Sequence, residues 1–271
     1  MITLTRYEVE AMDGLQAAIL GIIQGLTEFL PISSTGHLYL GRHLFGLDEA
    51  GLFLDTMLHL GTLIAVMAVY WNTLVDLAKT PFTRLTGLLV VGTIPTVAIG
   101  LLFEDFFEEV SKTGVTIGWE FLATGVILWL ADRLKDRGRK TLEEISYADA
   151  FIIGLFQGAA ILPALSRSGL TIAAALFRGI DKGVAASFSF LLSIPAIAGA
   201  VLYQGMKLAQ GQVEHIPLSS LLIGTVTAAV SGYLAVKWMI AILQRGSLKG
   251  FAVYVWVLGA IVLIAQFTGH F

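Results

Sequence analysis

The sequence contains no cysteine. That excludes disulfides, thiolate metal sites and a thiol nucleophile, and it leaves the redox compartment unread. Charge is scarce too. Asp, Glu, Lys and Arg make up 14% of the 271 residues, whereas soluble domains carry about 25%. The net charge of −3 excludes a broad basic surface, so no nucleic-acid partner is expected. What the chain has instead is apolar side chain, at 56%, and 29 glycines. This balance points to lipid as the solvent, and small residues let membrane helices approach closely. The opening MITLTRYEVEAMDG mixes acidic and basic residues. It makes a poor signal-peptide start, so no cleavage is expected.

A spanning helix needs about 20 apolar residues, while 10–14 fit a re-entrant or buried segment. Six stretches fit spans: 54–72, 84–103, 117–133, 184–205, 217–238 and 250–268. Glu120 interrupts the third. Regions 13–45 and 148–179 differ in texture, each an apolar arm, a Pro-Ser-Gly break and a second short arm. Both are expected to enter the membrane and turn back. The fold class is therefore all-α and polytopic, with six transmembrane helices plus two re-entrant helical hairpins.

Loop charge predicts orientation. Arg133, Lys135, Arg137, Arg139 and Lys140 mark one cytoplasmic loop, Lys79 and Arg84 a second, Arg245 and Lys249 a third. The opposite loops hold Glu104, Asp105, Glu108 and Glu109, then 210–217. Both termini fall outside. The halves also resemble each other: GIIQGLTEFLPISSTGH (21–37) against GLFQGAAILPALSRSG (154–169), with one gap between Gly and Pro. The expected organisation is a single membrane domain, 1–271, of two repeats, 13–133 and 148–268. Three spans after each hairpin would put the repeats in opposite orientation, their hairpin tips meeting near the midplane.

Ionisable residues inside a membrane default to function, and broken backbone is tolerated there only where protein or water satisfies it. The first hairpin offers Glu28, Ser33, Ser34, Thr35 and His37; the second offers Ser166, Arg167, Ser168 and Thr171. Helix restarts after Pro31 and Pro163 would present N–H groups to a phosphate. Arg167 can clamp phosphate bidentately. Glu28 can act as general base or share Mg²⁺ with a diphosphate, and an unpaired carboxylate there costs roughly 2.5–3.5 kcal/mol. His37 can activate a hydroxyl or protonate a leaving group. Each has a plainer role open: turn capping for Ser33, Thr35 and Ser168, a structural bridge for Arg167, a satisfied core histidine for His37. Asp55 and His59 form a local pair or line the same cavity, and Gln24 and Gln157 hold free carbonyls at the breaks.

QGLTEFLPISSTGH (24–37) and LPALSRSGLTI (162–172), with FLDTMLHLGTLIAV (53–66) and ASFSFLLSIP (186–195), resemble the signature segments of the undecaprenyl-diphosphatase, or bacitracin-resistance, family over essentially the whole chain. Ala164 and Leu170 depart from that family's Gly and Ala. The resemblance implies removal of one phosphate from undecaprenyl diphosphate at the outer face of the bacterial cytoplasmic membrane. The undecaprenyl phosphate formed would be recycled into peptidoglycan synthesis. The resemblance also implies a homodimer and a divalent cation, Mg²⁺ or Ca²⁺. Gln24 stands where many members carry Glu, so of the metal residues Gln24 and Glu28, Glu28 carries more of that role. The expected catalytic set is Glu28, Ser34, His37 and Arg167; Ser33, Thr35, Ser166, Ser168 and Thr171 are expected to hold phosphate. The attacking group is Ser34, His37 or water, with Ser34 favoured. A polyprenyl-phosphate flippase is the rival class.

Overall fold

The computed structural model describes residues 12–47, 52–209 and 216–269. The opening eleven residues and the 210–215 part of one acidic loop therefore lie outside the described residues. The described chain is helical: α1 (Gly14–Phe29), α2 (Ser34–Phe45), α3 (Leu52–Val69), α4 (Trp71–Lys79), α5 (Arg84–Leu102), α6 (Glu104–Thr113), α7 (Ile117–Asp132), α8 (Tyr147–Ala159), α9 (Arg167–Phe177), α10 (Lys182–Ala209), α11 (Leu218–Arg245) and α12 (Lys249–Phe267). Among the described residues, extended pairing is limited to one isolated bridge, Lys140 with Ile180.

Helices α5, α10, α11 and α12 are long and apolar enough to cross a membrane, and α3 with α4 makes a fifth if their 77° bend is one broken span. Helix α7 has 16 residues, about 24 Å at 1.5 Å per residue, and is the shortest of the six expected spans. The acidic segment after α5 is a helix, α6, rather than a loop. The surface is apolar in stripes of helical spacing: Val90, Ile94, Val97 and Leu101 on α5, Val226, Val230, Leu234 and Trp238 on α11, and Val253, Val257, Ile261 and Ile264 on α12 all face outward. Contiguous exposure of this kind needs an apolar solvent. The chain is a multi-pass membrane protein.

The basic segments gather at one end of the bundle. Arg84 donates to the carbonyls of Leu142 and Ile145, Lys182 pairs with Asp136, and the Asp132 carboxylate accepts from the Leu248 N–H and the Ser247 hydroxyl. The other end holds the Glu104–Lys207 pair and the Arg42–Asp55 pair.

The short helices α1 and α2 open toward the second end, α8 and α9 toward the basic end. Their starts are built alike. Asp13 and Gln16 form a capping box on α1, Ser146 and Asp149 one on α8, each satisfying two of the free N–H groups of a helix start. The second arms match too: the Ser33 hydroxyl accepts from Gly36 N and the Ser166 hydroxyl from Gly169 N. One shift carries Asp13 to Ser146, Gly21 to Gly154, Gln24 to Gln157, Ser33 to Ser166 and Gly36 to Gly169. The gap expected between Gly and Pro is therefore not needed: Pro31 falls opposite Ala164 and Pro163 opposite Leu30. The prolines made a misleading anchor, because either position of the turn accepts one.

Packing follows the same pairing. Helix α1 packs chiefly on α11 and α8 on α5, while α7 packs on α12. Small residues make the approach close. A Cβ on Gly154 would run into the Gly92 backbone, and one on Gly21 into the Gly224 backbone.

Candidate active site

The breaks between α1 and α2 and between α8 and α9 touch each other. The Ser33 hydroxyl donates to the Pro163 carbonyl at 2.9 Å, and the Ser168 hydroxyl to the Leu30 carbonyl at 3.0 Å. Each break thus supplies the donor for a backbone carbonyl that the other leaves without a helix partner, which low-dielectric burial demands. Ser33 sits at φ 70°, a left-handed conformation unusual for a residue with a Cβ. The capping bond and the bond across to Pro163 hold it there.

Between the breaks lies a charged cluster. Arg167, first residue of α9, donates to Glu28 Oε1 at 2.6 Å. The Ser34 hydroxyl, first residue of α2, donates to Glu28 Oε2 at 2.5 Å, and Gln24 Nε2 to the same oxygen at 3.0 Å. His59 of α3 brings Nε2 within 3.6 Å of it, while its Nδ1 donates to the Asp55 carbonyl at 2.7 Å. Glu28 is 6% exposed and Arg167 14%. A carboxylate in this position is sustained by a guanidinium and three further polar groups rather than by water. Within this Glu28 cluster, Arg167 Nη1 and Gln24 Oε1 are buried without a partner. One is a donor and one an acceptor, and such atoms are costly unless a ligand or water meets them.

The expected residues divide. Glu28, Ser34, Arg167 and Gln24 come together. Ser33, Ser166 and Ser168 surround them but use their hydroxyls on backbone: Ser33 and Ser168 across the breaks, Ser166 on Gly169 N with Ser168 Oγ 3.3 Å away. Thr35 is half-buried on the first turn of α2. Thr171 is fully buried, its hydroxyl donating to the Arg167 carbonyl and sharing a 2.6 Å bond with Ser189. His37 is not among the Glu28 partners. Its Nδ1 meets the Ser33 carbonyl at 2.6 Å and its Nε2 the Tyr254 hydroxyl at 2.8 Å, with the two rings stacked. A carbonyl only accepts, so Nδ1 carries a proton and Nε2 is free to accept from Tyr254. His59, not His37, completes the cluster. Asp55 turns to Arg42, so the sequence pair contributes one member to the site and one to the bundle end. Gln157 donates to the Thr96 hydroxyl instead of a carbonyl.

Two residues escaped the sequence reading. Glu120 Oε2 accepts from Ala164 N at 2.5 Å, and the Thr124 hydroxyl accepts from Ser166 N at 3.2 Å. The signal was there, a carboxylate inside a span with Thr one turn on, but it read as a weak span.

A buried carboxylate–guanidinium centre held between two broken helix pairs, inside a multi-pass helical bundle, defines a polytopic membrane protein with a charged centre in its interior. The family model described as "Bacitracin resistance protein BacA" matches residues 17–261. Undecaprenyl-diphosphatase 4 of Bacillus cereus is 64% identical over 96% of this chain and all of the relative. The undecaprenyl-diphosphatases of Carboxydothermus hydrogenoformans and Desulfatibacillum aliphaticivorans are 48% and 41% identical, over 96% and 95% of this chain and all of each relative. The chain belongs to the BacA family.

Among the described residues no group of three or more His, Cys, Asp or Glu gathers to cage a metal. Of the protein oxygens here, Gln24 Oε1 is unpartnered while both Glu28 oxygens carry bonds from Arg167, Ser34 and Gln24. A divalent cation would therefore have to be shared with ligand oxygens, Glu28 and Gln24 being the residues to hold it.

Proposed function

We propose that this chain is the phosphatase that converts undecaprenyl diphosphate to undecaprenyl phosphate and inorganic phosphate. The observation that carries the reading is the Ser34–Glu28–Arg167 cluster. A hydroxyl donates to a carboxylate at 2.5 Å, and a guanidinium with an unpartnered nitrogen lies on the carboxylate's other oxygen. That is the arrangement of an activated nucleophile beside a phosphate clamp. The relatives' phosphatase names favour hydrolysis over transport.

Ser34 Oγ attacks the terminal phosphorus and passes its proton to Glu28. Arg167 holds the equatorial oxygens as the bond to the bridging oxygen breaks, and undecaprenyl phosphate leaves. Water then attacks the phosphoserine, inorganic phosphate leaves with the water's oxygen and protons, and Glu28 returns its proton to Ser34 Oγ. Glu28 and Gln24 would hold the divalent cation, which would neutralise diphosphate charge when bound.

The wider reading includes six spans with two re-entrant hairpins as an inverted repeat, a homodimer, the bacterial cytoplasmic membrane and a site open to its outer face. Three observations support the topology: equivalent caps on α1/α8 and α2/α9, the exchanged packing of α1 on α11 and α8 on α5, and basic segments gathered at one end. The α6 helix, acidic and amphipathic, then lies at the outer interface.

The test is purified protein in detergent with undecaprenyl diphosphate and Mg²⁺. Phosphate release that stops with a chelator and returns with the metal is expected. Absence of release in the intact, folded protein overturns the reading. Rapid quench with labelled terminal phosphate should trap labelled protein in wild type and none in Ser34→Ala. Direct entry of water oxygen into the phosphate, with no trapped label, removes Ser34 as nucleophile.

A further inference from the structure

Arg167 reaches Glu28 only if the chain leaves the second break in one direction. The Ser33–Pro163 and Ser168–Leu30 bonds tie that break to the first, and α7 supplies the groups that hold the backbone immediately before Arg167. Glu120 and Thr124 lie one helical turn apart on the same face. Glu120 Oε2 takes the Ala164 N–H at 2.5 Å. The Thr124 hydroxyl takes the Ser166 N–H at 3.2 Å and donates to the Ala164 carbonyl at 3.4 Å. Glu120 is 6% exposed and Thr124 fully buried. The three backbone groups they hold immediately precede Arg167. The Phe121 ring between them lies against His37, with ring centroids 5.5 Å apart, and against Gly36. The same face of α7 therefore touches both breaks.

We propose that Glu120 and Thr124 are positioning residues, which set the start of α9 and thereby hold the Arg167 guanidinium where phosphate binds. Glu120 survives in an apolar helix because its Oε2 supplies the acceptor that a buried break N–H requires. A Gln oxygen could still accept the Ala164 N–H, whereas Ala or a hydrocarbon could not. The inference rests on the reading of Arg167 as the clamp.

Purified Glu120→Ala, Glu120→Gln, Thr124→Val, Arg167→Ala and Glu120→Ala/Arg167→Ala proteins should be compared for kcat, KM and inhibition by inorganic pyrophosphate. Glu120→Ala and Thr124→Val should raise KM and the pyrophosphate inhibition constant about tenfold or more, as loss of a buried bond to a phosphate-holding group does. Glu120→Gln should stay within about threefold. The double variant should be no worse than Arg167→Ala alone, because the two act through one guanidinium. Hydrogen exchange of the 164–168 amides should speed up in Glu120→Ala and Thr124→Val and not in Arg167→Ala. Unchanged exchange, unchanged pyrophosphate inhibition or additive losses overturn the proposal. If Glu120→Ala does not fold, Thr124→Val and Glu120→Gln decide. If Arg167→Ala leaves pyrophosphate inhibition unaltered, the clamp reading fails, and the exchange data still judge whether α7 holds the break.

Discussion

Single side chains decide the chemistry of this protein. Under the one shift that relates the two breaks, Ser34 falls opposite Arg167 and Glu28 opposite Ile161. Two similar backbones thus deliver different groups to one place, and a hydroxyl and a carboxylate from the first meet a guanidinium from the second. Arg167 bonds Glu28 with one nitrogen and keeps another unpartnered. A lysine has one point charge and no planar fork to serve both roles. Arg167→Lys should therefore lower kcat/KM about a hundredfold, about 2.7 kcal/mol of transition-state stabilisation. Near-wild-type turnover would count against the clamp.

Elements decide whether those side chains meet. Helices α1 and α8 are too short to be anchored by lipid alone, and each is held by glycine contacts to a long helix of the other half. Gly154 lies on Gly92 so closely that a methyl group has nowhere to go except into backbone. Backbone cannot step aside as a side chain tip can, so Gly154→Ala should cost about 1–3 kcal/mol and lower the thermal midpoint in detergent. Gly199, which meets nothing when a Cβ is added, is the control, and its alanine variant should melt as wild type. Equal midpoints for the two variants would show that α8 docks by other means.

The whole molecule sets which side of the membrane sees the site. Basic segments joined through Arg84, Lys182 and Asp132 collect at one end, the distribution that retention of positive charge on the cytoplasmic side produces. The chain has no cysteine, so every introduced thiol reports alone. Asp136→Cys should resist a membrane-impermeant maleimide in intact cells and react after permeabilisation, while Asp105→Cys should react in both. The reverse pattern would invert the proposed topology and place the first break's opening on the cytoplasmic side.

The residues alone disclosed a great deal. Low charge, long apolar runs and two Pro-Ser-Gly breaks identified a polytopic helical protein and marked Glu28, Ser34, His37 and Arg167 as candidate groups, because lipid makes each of these features costly or obligatory. Of these, packing brings Glu28, Ser34 and Arg167 into one cluster. Local sequence also carried the N-caps, since a hydroxyl or carboxylate at a helix start acts within three residues. Partners far apart in the chain were another matter. Nothing near His37 indicates that Tyr254 will occupy it, nothing near His59 that it will face Glu28, and nothing near Glu120 that a break 44 residues on will need its oxygen. Those pairings arise when helices from both halves pack and buried polar groups must find whatever acceptor or donor the fold brings within reach. Which groups are available was written along the chain; which of them meet was fixed by packing.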